Sequence, residues 1–272
     1  MGESIAIVSG RGGVGKTAFT ACLGTALARR GKSVLLIDAD TGMRCLDIAL
    51  GMENKVVYDA VDVIEGSCRL KQAILRDGQR PGLKLLAAAQ TRERAALTSE
   101  GMRDITSRLR DKYDYILIDA PSGTEQGFDS ACAGADSAIL LMTADPLGVR
   151  SAQRMAGLLE QSGLPAPMLA IDRVRAELVQ TGEVLPLERV MDIMRLKAIA
   201  VLPEDIEVAR ACFTGRPLDA DSPSGHAYDE AALRLLGEDI PLSMPKVRPP
   251  LGRRLRRSIK VLRGVDEPDM EE

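Results

Sequence analysis

The chain has no cysteine pair spaced as CxxC, no apolar run near the ~20 residues that span a bilayer, and no excess of positive charge. Its five cysteines, at 22, 45, 68, 132 and 212, are scattered and odd in number. That excludes an even disulfide framework and a CxxC-based iron–sulfur carrier, and it fits small core residues in a reduced cytoplasm. A formal net charge of −3 gives no global reason to expect sequence-specific nucleic-acid binding. The short acidic stretch ahead of the first apolar run leaves no room for a signal peptide. What remains is a chain of 272 residues, 45% hydrophobic and 28% charged, with the profile of a soluble globular protein built on one large domain.

The most informative stretch present is Gly10-Arg11-Gly12-Gly13-Val14-Gly15-Lys16-Thr17, a GxxxxGK[ST] phosphate loop. Residues 5–9 before it form an apolar run that reads as a buried parallel strand, and residues 17–29 after it carry apolar side chains at helical spacing. A triphosphate needs many donors at short range. Glycines let backbone N–H groups turn inward, and the start of a helix adds partial positive charge. Lys16 would reach the β- and γ-phosphates, and the Thr17 hydroxyl would complete a Mg²⁺ shell.

Continuous apolar runs at 34–37, 83–87, 115–118, 138–142, 168–171 and 198–202 read as strands buried on both faces. Helical stretches fall between and after them, at 58–65, 99–110, 150–161, 186–194, 206–213 and 227–236. The expected fold is α/β: a doubly wound, predominantly parallel sheet with helices on both faces, and ligands at the carboxyl ends of the strands. Asp38 and Asp40 lie just past one of those strand ends, and Asp119 just past another. Each could simply cap a turn. Beside a phosphate loop, carboxylates there can hold Mg²⁺ through its waters and orient an attacking water.

Beyond Pro249-Pro250, residues 251–264 place Leu251, Leu255, Ile259 and Leu262 on one helical stripe, with Arg253, Arg256, Arg257, Lys260 and Arg263 opposite. This is the pattern of a helix lying in a membrane interface, with a solvated basic tail or a segment that binds nucleic acid as the alternatives. At ~1 kcal/mol per basic side chain near anionic lipid, five contribute on the order of 5 kcal/mol before ordering costs. The stripe lacks Trp and Phe and an acidic tail follows at 265–272, so one copy should bind weakly and two together far better. The expected organisation is an ATPase domain at 1–243, a Pro-containing linker at 244–250, and then the basic helix and the tail.

The basic second position of the loop resembles the deviant Walker A motif of the MinD/ParA ATPases. The likeness continues through Leu46-Asp47-Ile48, Val56-Val57-Tyr58-Asp59, Ala89-Gln90-Thr91-Arg92, Ile118-Asp119-Ala120-Pro121-Ser122-Gly123, Val201-Leu202-Pro203-Glu204-Asp205 and Leu235-Leu236-Gly237-Glu238, and is strongest to the family's MinD branch. The resemblance implies a Mg²⁺- and ATP-dependent homodimer that attaches peripherally to the inner face of the cell membrane through anionic lipid. It also implies recruitment of a MinC-like division inhibitor and positioning by MinE or a DivIVA-linked factor. Carried over by residue, Lys16 and Thr17 hold phosphate and metal, Asp40 positions the hydrolytic water, Asp38 and Asp119 support Mg²⁺, and Pro203, Glu204 and Asp205 line the base pocket. Three positions depart from the family pattern. Arg11 stands for the signature lysine that reaches across the dimer, and Asp172, followed by Arg173, stands where an asparagine reads adenine. Cys45 replaces an asparagine of the switch segment. A flagellar-number regulator, a ParA-like DNA-segregation ATPase and a nucleotide-binding scaffold with little hydrolysis are the alternative readings.

Overall fold

The computed structural model describes residues 2–122, 127–242, 244 and 245. Eight strands form one sheet. In chain order they are β1 (Glu3–Val8), β2 (Val34–Asp38), β3 (Ile74–Arg76), β4 (Leu83–Leu86), β5 (Tyr115–Asp119), β6 (Ser137–Thr143), β7 (Met168–Val174) and β8 (Ala198–Pro203). Their spatial order is β3-β4-β2-β5-β1-β6-β7-β8, and every neighbouring pair is parallel except β3 with β4. The parallel, doubly wound sheet inferred from the apolar runs is the fold observed. Strand β3 was not expected, because three residues at a sheet edge carry too little apolar sequence to register as a run.

The helices are α1 (Lys16–Arg29), α2 (Leu46–Leu50), α3 (Ala60–Ile64), α4 (Leu70–Ala73), α5 (Ser99–Ser107) and α6 (Phe128–Ala133), followed by α7 (Pro146–Gln161), α8 (Ala176–Gln180), α9 (Leu187–Met194), α10 (Ile206–Thr214) and α11 (Pro223–Leu235). Two begin about a turn earlier than their apolar spacing suggests, and capping explains both. The Asp145 side chain accepts the Gly148 N–H at 2.9 Å ahead of Pro146, and the Ser222 hydroxyl accepts the Gly225 N–H at 2.9 Å ahead of Pro223. An oxygen-bearing N-cap followed by proline at the first helical position starts a helix whatever the hydrophobic pattern says.

Side chains alternate across β1. Ile5 and Ile7 pack with Phe19, Leu23 and Leu27 of α1 and with Tyr228 of α11, while Ala6 and Val8 join Ile105 of α5 and Met155 of α7 on the other face. Helix α1 is buried nearly all round, since it lies between the sheet and α11. At ~1.5–3 kcal/mol per large apolar side chain, this packing anchors the helix that carries the phosphate loop.

Candidate functional site

The loop leaves the end of β1, at the centre of the sheet, and turns directly into α1. Two of its glycines are required by the backbone. Gly13 and Gly15 have φ of +75° and +97°, and a Cβ on Gly15 would sit 2.9 Å from an Asp172 carboxylate oxygen. Lys16 is 6% exposed and donates to the Ser9 and Ser122 hydroxyls, each at 3.0 Å. Burial lowers its amine below the usual value, against the pull of Asp119 and Asp40.

The carboxylates are gathered by strand register. Asp38 and Asp119 are direct neighbours on β2 and β5. Thr17 donates to Asp119 at 2.6 Å, and the Thr20 hydroxyl lies 3.4 Å from the other oxygen. Asp38 accepts the N–H groups of Asp40 and Leu46 at 2.9 and 3.0 Å, so one side chain fixes both ends of the segment 40–46. Burial pushes Asp38 and Asp119 upward, and the Asp119 charge raises Asp38 further. Asp40 sits close enough to add to both. Three carboxylates around one lysine leave surplus negative charge in a buried place, which suits a divalent cation. Among the described residues no group of three His, Cys, Asp or Glu is set to hold a metal alone. The Thr17 hydroxyl, with Asp38 and Asp119 behind it, offers oxygen donors of the kind Mg²⁺ takes.

Arg11 points away from this cluster. Its guanidinium bonds Thr143 at 2.7 Å and Asp145 at 3.0 Å, and Thr143 in turn donates to Asp145. Burial opposes the Asp145 charge, but the Thr143 hydroxyl, the Gly148 amide and Arg11 outweigh it and hold the carboxyl below its usual range. Arg11 and Asp145 border a cavity of about 210 Å³ with Arg173, Arg175 and Glu204.

The ends of β7 and β8 are less regular. Their pairing shifts register between Ile171 and Val174, and Arg173 has a left-handed φ of +57°. Asp172 accepts the Arg173 N–H at 2.8 Å, and burial pushes its carboxyl up to about 7. Glu204 pairs with Arg175. Asp205 caps α10 through the Glu207 N–H at 3.1 Å and accepts from Ser224 at 3.4 Å. Cys45 stands at the N-terminus of α2 with its thiol 3.6 Å from the Met43 carbonyl.

Residues 10–17, 38, 40, 119, 172, 173 and 203–205 therefore collect at the carboxyl ends of neighbouring strands. Ser9 and Ser122, which hold Lys16, and Thr143 and Asp145, which hold Arg11, were not anticipated. The Asp145-Pro146 pair carried a capping signal, but nothing in the sequence tied it to Arg11. The apolar stripe of Leu251, Leu255, Ile259 and Leu262, with Arg253, Arg256, Arg257 and Lys260, lies outside the described residues. No helix among the described residues is long and apolar enough to cross a membrane.

Residues 5–218 match the CobQ/CobB/MinD/ParA nucleotide binding domain. The chain is 40% identical over 248 residues to the septum site-determining protein MinD of Bacillus subtilis, covering 90% of this chain and 92% of that one. It superposes on a chain of the Aquifex aeolicus MinC:MinD cell division protein complex with a TM-score of 0.84 and 38% identity, over 90% of this chain and all of that chain. MinD from Pyrococcus horikoshii complexed with Mg-ADP gives a TM-score of 0.79 and 29% identity, over 86% and 96% of the two chains.

Proposed function

The chain belongs to the CobQ/CobB/MinD/ParA family of nucleotide-binding proteins, and from that premise we propose that it is an ATP-driven, membrane-associating switch for division-site placement. ATP joins two copies face to face, the paired basic helices at 251–264 then hold anionic lipid, and the lipid-bound dimer recruits a MinC-like inhibitor. Hydrolysis separates the copies. MinE or a DivIVA-linked factor sets where this happens. The partner reading rests on the likeness to a MinD solved together with MinC.

The observation that carries the proposal is the Lys16, Thr17, Asp119, Asp38 and Asp40 cluster at the end of β1, β2 and β5. Loop N–H groups and Lys16 bind the phosphates, and Ser9 and Ser122 keep the lysine extended toward them. Mg²⁺, when bound, neutralises phosphate charge. Asp40 orients the attacking water, and Asp38 fixes the backbone on which Asp40 rides. Arg11, freed from Asp145, supplies the positive charge that faces the partner copy's phosphates. Asp172 and Arg173, with the loop at Pro203, Glu204 and Asp205, form the base end.

Liposome sedimentation tests the reading. Attachment should need ATP and anionic lipid, weaken as salt rises, and vanish in Leu255→Glu/Ile259→Glu while ATP-dependent dimerisation persists. Equal attachment in ADP and ATP would contradict the switch, and unimpaired attachment of the double variant would place the anchor elsewhere.

A further inference from the structure

Cys22 and Cys212 are 190 residues apart in sequence and lie side by side in space. Cys22 is on the inner half of α1 and is 5% exposed. Cys212 is on α10, half-buried against the same apolar cluster. Both open onto one narrow crevice, shared with Arg80 and Arg216 and lined also by Ala21 and Ala211 beside them. The other three cysteines, at 45, 68 and 132, take no part in this crevice.

We propose that Cys22 and Cys212 form a reversible, peroxide-responsive disulfide that staples α10 to the helix carrying the phosphate loop. The two thiols are not equivalent. Cys212 is the more open of the two, and the Arg80 guanidinium on the same crevice favours its thiolate, while burial on the inner side keeps Cys22 protonated. The Cys212 thiolate attacks one oxygen of a hydroperoxide, the O–O bond breaks, and the other oxygen leaves as water or alcohol after taking a proton, giving a sulfenic acid. The Cys22 sulfur then attacks that sulfur, the S–O bond breaks, and the hydroxyl leaves as water with the Cys22 proton. Two thiols are oxidised and one peroxide is reduced. A dithiol reverses the step by exchange.

The position gives the staple a consequence. Helix α10 is capped by Asp205, two residues past the Pro203 end of β8, and its closing Gly215 packs against Gly51, which ends α2. A Cβ on Gly215 would lie 2.3 Å from the Gly51 Cα. Tying α10 to α1 therefore links the phosphate loop, the base-side loop and the helix that follows Asp40, and it closes a very long loop in the unfolded chain.

The test uses the full chain, reduced and then treated with hydrogen peroxide. The intact mass should fall by two hydrogens, a non-reducing digest should join the Cys22 and Cys212 peptides, and dithiothreitol should undo both. The oxidised wild type should melt at a higher temperature than the reduced form, and Cys22→Ser and Cys212→Ser should each lose that gain. Cys22→Ser should stop at a dimedone-reactive Cys212, and Cys212→Ser should leave Cys22 thiol intact. Oxidation of Cys45 or Cys68 with no Cys22–Cys212 peptide would overturn the proposal, as would dimedone capture at Cys22 in place of Cys212. The peptide map of the wild type decides the matter even where a variant folds poorly.

Discussion

The proposed phosphate end and base end of the site sit a few strands apart on one sheet, yet they are built differently. At the phosphate end β1, β2 and β5 run in uninterrupted register, and the cluster of Lys16, Thr17, Asp38 and Asp119 follows from that regularity. At the base end β7 and β8 slip in register, Arg173 is left-handed, and Asp172 carries a carboxyl pushed up to about 7. Regular pairing makes residue positions predictable from periodicity. Where pairing slips, side chains are re-aimed in ways a period cannot reveal. On the proposed reading, affinity and hydrolysis belong to the first end and base selectivity to the second, while carboxyls raised by burial lie at both, Asp38 and Asp119 at the first and Asp172 at the second.

The sharpest way to break that division is Lys16→Ala. Losing a buried, charge-assisted phosphate contact should weaken ATP binding about 100-fold or more by calorimetry. Unchanged affinity would move phosphate binding elsewhere. Asp40→Ala should bind ATP almost normally and hydrolyse it roughly 100-fold more slowly, because the carboxylate acts on water and not on ground-state phosphates. Wild-type turnover in that variant would assign the water to another group.

Asp172→Asn probes the other end. A carboxyl raised in the folded state binds more protons there than in the unfolded chain, so its contribution is full below the ordinary carboxylate range and is lost as pH rises toward about 7. The nucleotide-free protein should therefore lose stability across that window. Asp172→Asn should remove that part of the slope and gain on the order of 2 kcal/mol at neutral pH, read by denaturant melts. The same variant should sharpen preference for ATP over GTP, because an amide both donates and accepts where a carboxylate only accepts. An unchanged pH slope would show that Asp172 is not held neutral, and an unchanged nucleotide preference that it does not read the base. The smallest effect belongs to Asp145→Ala. The Arg11–Asp145 pair is about a third exposed on each side, so releasing it should shift the ATP-dependent dimer equilibrium only by ~0.5–1 kcal/mol, in favour of the dimer.

How much of this was legible in sequence follows the same boundary. The phosphate loop, its strand and helix, and the aspartates past two strand ends were readable because a continuous apolar run fixes where a buried strand stops. Short elements were not: β3, α2, α4, α6 and α8 have six residues or fewer and owe their existence to neighbours more than to their own pattern. Nor were the partners of Lys16 and Arg11. Ser122 and Asp145 lie 106 and 134 positions away, and only the order β5-β1-β6 brings them to the loop. Asp205, proposed for the base pocket, caps α10, as an aspartate directly ahead of a helix does, and also accepts from Ser224, a contact no linear pattern discloses.

If nucleotide state governs self-association, light scattering on size-separated protein will show it. Both wild type and Asp40→Ala should be monomers in ADP, and in ATP with Mg²⁺ a dimer should form that persists in Asp40→Ala longer than in wild type. The same mass in ATP and ADP for Asp40→Ala, with ATP bound, would contradict nucleotide control.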